Sequence, residues 1–253
     1  PTGKDRSTSL QMHSHNHINK PRILPDAPPV IEVEKIGMRR GDRNVLTDVS
    51  LSVRRGDFLA ITGPNGGGKT TLLRIILGLL QPTSGHIRYF NPSGKEGDKP
   101  AFGYLPQKNA VDAHFPVTVS EVIASGLLTM RGIDNGTRRH EIERVLELID
   151  MTDLANRPIG HLSGGQLQRA LFGRAIIRKP EILVLDEPLS YIDKHFEERL
   201  YDIIDDISHS ATILLVSHEM SEISAMANRH IIVDHTLTEC CATRHFIPPQ
   251  CTE

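Results

Sequence analysis

Between Ile61 and Leu80 the chain reads ITGPNGGGKTTLLRIILGLL. The apolar segment FLAIT that leads into it has strand composition, and the apolar residues after Lys69 recur on a helical period. A strand feeding a helix through so glycine-rich a turn points to an α/β fold, because the turn needs backbone that side chains would obstruct. Gly63 through Thr70 fit G-x-x-x-x-G-K-[ST] with strand before and helix after. Gly63, Pro64, Asn65, Gly66, Gly67 and Gly68 form a loop whose backbone N–H groups can surround phosphate oxygens. The helix that follows aims its N-terminal dipole at the same anion. Lys69 is expected to reach the β- and γ-phosphates, Thr70 to hold Mg²⁺ through its hydroxyl, and Thr71 to complete the first turn around the nucleotide. The pattern arises by accident in on the order of 1% of chains of this length. The loop reads as a nucleoside triphosphate site.

The rest of the chain is organised around that loop. Val30 to Thr62 alternates as strands, VIEVEKI, VLTDVSLSV and FLAIT, separated by turns at RRGDRN and RRGD. The helix from Lys69 is expected to run to about Leu79, followed by HIRYF and a surface loop, NPSGKEGDKP. Residues 108–178 read as mostly helical, through TVSEVIASGLL, TRRHEIERVLELID and GGQLQRALFGRAIIR. Strands return with ILVLD and TILLVS, on either side of a helix at 193–208. The expected division is a disordered tail at 1–28, a nucleotide-binding domain at 29–238 with a helical insertion at about 108–178, and a C-terminal tail at 239–253. The chain opens on Pro1, and Met12 is a candidate natural start.

Composition narrows the function classes. A net charge of −2 over 253 residues gives no electrostatic footprint for nucleic acid. The longest apolar runs are far too short to span a membrane, and the polar N-terminus gives no sign of a secretory leader. Cys240, Cys241 and Cys251 do not read as a disulfide framework. A soluble cytoplasmic protein is expected.

Two further motifs carry chemistry. ILVLDEP is a buried strand ending in paired acids: Asp186 is placed to hold Mg²⁺ through water, and Glu187 to orient or deprotonate an attacking water. LSGGQ at 162–166 opens a long helix on an N-cap serine and two glycines, which makes a second anion cradle or a plain capped helix. Two cradles in one domain suggest that two chains share each nucleotide.

These motifs together resemble the ATP-binding cassette (ABC) ATPases, from about Val30 to Asp234. The resemblance makes GPNGGGKT the Walker A loop, Gln107 in YLPQ the Q-loop, LSGGQ the signature, ILVLDE the Walker B strand, SYID the D-loop with Asp193, and His218 in LLVSHE the switch histidine. It implies a P-loop NTPase fold, a RecA-like core with an antiparallel β subdomain and an inserted helical subdomain. It also implies a head-to-tail dimer in which Ser163, Gly164, Gly165 and Gln166 of one chain face the γ-phosphate held by the other. Within each chain, Glu187 and His218 would act at that phosphate, and Gln107 would link the Mg²⁺ site, with Thr70 and Asp186, to a transmembrane partner.

One position departs from the family pattern: Arg40 stands where an adenine-stacking aromatic is usual. A guanidinium plane can stack on a base, and a solvated turn charge is an equally good reading. The length fits neither the long coiled-coil insertion of repair ATPases nor the two-cassette ribosome-associated ones. QKNAVDAHFPVTVSEVIASGLL resembles the corresponding segment of zinc and manganese importers, which favours a divalent transition metal as cargo. Within it Val119, Val122, Ile123 and Leu127 form a helical stripe that suits either a partner groove or the core. The import reading implies a separate permease and an extracytoplasmic metal-binding protein, with the chain on the cytoplasmic face of the inner or plasma membrane. The alternatives are a soluble ATPase of iron–sulfur assembly and an importer of another substrate. The histidines at 13, 15 and 17 offer metal ligands in a tail read as disordered, and DHTLTECCATRHF departs from the family's closing strand and turn.

Overall fold

The computed structural model describes residues 27–107, 116–130, 132–217 and 226–240. Its first sheet is antiparallel, ordered β2-β1-β4, from β1 (Pro29–Arg40), β2 (Arg43–Arg54) and β4 (Ser84–Tyr89). The second has six strands, β5-β6-β7-β3-β8-β9: β3 (Phe58–Thr62), β5 (Phe102–Leu105), β6 (Ile182–Asp186), β7 (Thr212–Val216), β8 (Arg229–Asp234) and β9 (Thr236–Cys240). Pairing is parallel from β5 to β8 and antiparallel between β8 and β9.

The inner strands are apolar on both faces because both faces are covered. Ile182 and Val184 of β6, with Leu214 and Val216 of β7, join one core with the small sheet and with α1 (Lys69–Ile76). Leu183, Leu185, Ile213 and Leu215 alternate to the other core. There they meet α4 (Gly164–Ile176) and α5 (Lys194–Ser208), whose Phe172, Phe196, Leu200 and Ile204 are fully buried. Asp193 caps α5, its Oδ1 accepting from the Phe196 N–H at 3.0 Å.

The helical lobe between β5 and β6 holds α2 (Val119–Ser125), α3 (Asn135–Leu148) and α4. Val119, Val122, Ile123 and Leu127 are all buried in the core, so the stripe packs inward rather than awaiting a partner. Gly173 lies where these helices converge. A Cβ there would stand 2.9 Å from Ile149 Cδ1, 3.0 Å from Val145 Cγ1 and 3.3 Å from Ile123 Cγ1.

Three elements differ from the sequence expectation. The first helix stops at Ile76, not Leu79, because the chain closes a Schellman turn: Gly78 N–H bonds to Ile75 O and Leu79 N–H to Arg74 O, with Gly78 at φ +63°. β5 has no local signal, being a four-residue edge strand made by pairing with β6. At the other edge, the stretch that departs from the family ending still forms an ordered β8–β9 hairpin through Cys240.

Candidate active site

In parallel sheets ligands gather at the carboxyl ends of the strands, and this chain's chemistry-bearing residues sit there. Gly63 follows β3, Gln107 follows β5, Glu187 follows β6 and Ser217 follows β7. His218 lies outside the described residues, as do residues 108–115, the tail histidines, Cys241, His245 and Cys251.

The loop between β3 and α1 is tightly built. Gly63 has φ +136°, and a Cβ on it would fall 2.1 Å from the Val233 carbonyl oxygen of β8. Gly68 has φ +102°, and its Cβ would fall 2.9 Å from the Val45 carbonyl of β2. His235, the turn residue between β8 and β9, donates its N–H to Gly67 O at 2.8 Å, and its own carbonyl accepts from Thr47 N–H at 2.7 Å. The phosphate loop is therefore held between β2 and the C-terminal hairpin. Sequence reading did not find Val45, Val233 or His235 as supports, because nothing in their local pattern marks a contact made across the fold.

Lys69 is only 6% exposed, and its ammonium donates to Gly63 O at 2.8 Å and Pro64 O at 2.9 Å, occupying the centre of the loop. Burial lowers its pKa, and the nearby charges of Glu187 and Asp186 oppose that shift. A cleft opens over the loop, lined by Asn65, Gly66, Gly68, Lys69, Thr70 and Thr71. Val45, Gln107 and Glu187 close its other sides. Gln107 Nε2 donates to Glu187 Oε2 at 2.5 Å. Glu187 stands at φ +55°, its N–H bonded to Val216 O at 2.9 Å, just past the end of β6.

Asp186 is fully buried, and neither of its carboxylate oxygens accepts a hydrogen bond of ordinary geometry. Burial raises its pKa; the Thr70 hydroxyl and the charges of Arg74 and Lys69 only partly counter this. A buried, unsatisfied carboxylate beside a hydroxyl is a fitting donor set for Mg²⁺, a hard cation that favours oxygen ligands.

The signature residues do not line this cleft. Ser163 caps α4, its Oγ accepting from Gln166 N–H at 3.2 Å, while Gln166 Oε1 accepts from Ser163 N–H at 3.0 Å. Gln166 is thus engaged in a capping box. Gly164 and Gly165 form the first turn of α4, packed against Tyr191 of the segment before α5. Arg169 of α4 pairs with Asp193 at 2.5 Å and stacks over the Phe196 ring at 4.2 Å, tying that segment to the signature helix. Arg40 is at the exposed tip of the β1–β2 hairpin opposite Arg43, away from the cleft lining.

The sequence profile described as "ABC transporter" matches residues 46–190, more than half of the chain. The chain belongs to the ABC transporter family. This ABC cassette is an ATPase and takes ATP as its nucleotide. It is 38% identical over 220 residues to a Chlamydia pneumoniae protein named "Probable metal transport system ATP-binding protein", covering 84% of this chain and 89% of the relative. It is 35% identical over 210 residues to "Zinc uptake system ATP-binding protein ZurA" of Listeria monocytogenes serovar 1/2a, covering 80% and 81%. Among solved structures, a dimeric bacterial ABC transporter cassette superposes with TM-score 0.74 at 25% identity, covering 85% of this chain and 100% of that one.

Proposed function

We propose that this cassette drives an importer of a divalent transition metal, with zinc, manganese and iron as the cargo class. The observation that carries the reading is identity of 35–38% to metal and zinc uptake ATP-binding proteins across at least 80% of both chains. No helix among the described residues is long and apolar enough to cross a membrane, and we assign the translocation path to a separate permease. The cassette then sits peripherally on the cytoplasmic face of the inner or plasma membrane. An extracytoplasmic metal-binding protein would deliver the cargo.

The cleft suits the chemistry assigned to it. Backbone N–H groups from Asn65 to Thr71 would bind the phosphates, with Lys69 leaving the Gly63 and Pro64 carbonyls for the β- and γ-oxygens. Thr70, Gln107 and Asp186 would hold Mg²⁺, which neutralises charge on the transferring phosphoryl group when bound. Glu187 would orient and deprotonate the attacking water once Gln107 releases it, with His218 contacting the γ-phosphate. Because Ser163, Gly164, Gly165 and Gln166 lie off this cleft, we assign them to the nucleotide of a second copy, in a head-to-tail dimer, with Asp193 in the D-loop. Stacking of Arg40 on the base would require its guanidinium to turn from the hairpin tip toward the cleft, which its side chain does not line.

The test is the elemental content of metal-limited cells lacking this chain, complemented with the intact protein or with Lys69→Ala. A selective fall in one of the three metals, restored only by the intact protein, is expected. Unchanged content of all three would overturn the cargo and leave the ATPase standing.

A further inference from the structure

The turn between β8 and β9 is a single residue: Asp234 pairs with Thr236, and His235 between them has φ +57°. Glycine enters that left-handed region freely, and histidine is one of the few other residues that tolerate it. Glycine could also make both backbone contacts described above, since those use only the His235 N–H and carbonyl. The imidazole adds a contact that glycine could not. Its Nδ1 lies 3.2 Å from Val45 O. A carbonyl oxygen only accepts, so Nδ1 carries the hydrogen and donates it. Nε2 is left 3.9 Å from Asp234 Oδ1.

Val45 is the reason this contact matters. It lines the cleft, and its carbonyl oxygen stands 2.9 Å from the place a Cβ of Gly68 would take. The imidazole therefore holds the carbonyl against which Gly68 packs, while the N–H of the same residue holds Gly67 O at 2.8 Å. Two consecutive loop residues and the β2 wall are set in place by His235. We infer that the His235 imidazole is a positioning residue for nucleotide binding: by fixing Val45 against Gly68, it holds the cleft wall and the phosphate-binding N–H groups at one spacing. This rests on the reading of the cleft as the nucleotide site. It is independent of the cargo.

The experiment uses the full chain, with ADP and Mg²⁺ titrated calorimetrically and ATP turnover measured beside it. His235→Gly keeps the backbone contacts and the left-handed turn and removes only the imidazole. It should weaken ADP binding and raise KM for ATP by about threefold to tenfold, the loss falling on KM rather than kcat. His235→Asn should restore most of that affinity, because asparagine also tolerates positive φ and its Nδ2 takes the place of Nδ1. Wild-type affinity in His235→Gly would show that the backbone alone braces the loop and would overturn the inference. So would an asparagine variant that binds no better than the glycine one, or a loss that falls on kcat with KM unchanged. Lys69→Ala tests the underlying site separately: undiminished nucleotide binding there would overturn the cleft assignment itself, whatever the His235 variants do.

Discussion

A buried carboxylate that no hydrogen bond of ordinary geometry satisfies is a standing cost to the fold, and Asp186 is such a group. Its pKa is raised above the unfolded value of 3.8, so the native state binds that proton more tightly than the unfolded chain does. The penalty is therefore present at neutral pH and fades as pH falls through the raised folded value. Asp186→Asn should accordingly stabilise the nucleotide-free protein at pH 7 by about 1–3 kcal/mol. That gain should shrink in acid, and the variant should lose Mg²⁺-dependent nucleotide binding. Thermal unfolding across pH, paired with nucleotide titration with and without Mg²⁺, checks all three outcomes. A variant less stable than wild type at pH 7 would mean that the carboxylate is stabilised by interactions beyond Thr70, Arg74 and Lys69.

At the scale of elements, α4 joins the helical lobe to the signature turn, and Gly173 sets how closely it packs. Glycine in a helix costs about 1 kcal/mol relative to alanine, and here it admits Ile149, Val145 and Ile123 to the helix surface. Gly173→Leu should lose about 1–3 kcal/mol through overpacking, read as a lower urea midpoint at unchanged slope. The element pattern was legible where one local force dominates. ILVLD and TILLV declare buried strands by continuous apolar composition, and Ser163 with Gln166 marks a helix start by a reciprocal cap. It was illegible where pairing partners decide: Phe102–Leu105 becomes a strand only because β6 offers an edge, and Thr236–Cys240 only because β8 does. The same division holds in the site. The glycine-loop spacing and the paired acids at the end of β6 can be read along the chain, whereas Val45, Val233 and His235 act through long-range contacts that leave no periodic trace.

For the whole molecule, the proposed division of the site between two copies has a kinetic consequence. Glu187→Gln keeps the size and hydrogen-bonding capacity of the side chain but removes the proposed base, so turnover should fall at least about 100-fold. Nucleotide binding should survive, and a dimer should accumulate with ATP; phosphate release and light scattering read the two outcomes separately. The phosphate loop has a dependence of its own. Its shape is fixed from behind by the Val233 carbonyl and the His235 N–H, contributed from the other end of the described chain. On the ribosome, Gly63 to Thr70 are made early and stay without that backing until the last hairpin has emerged. A nascent chain stalled anywhere before β8 would therefore carry the complete glycine motif and still lack a properly shaped nucleotide site.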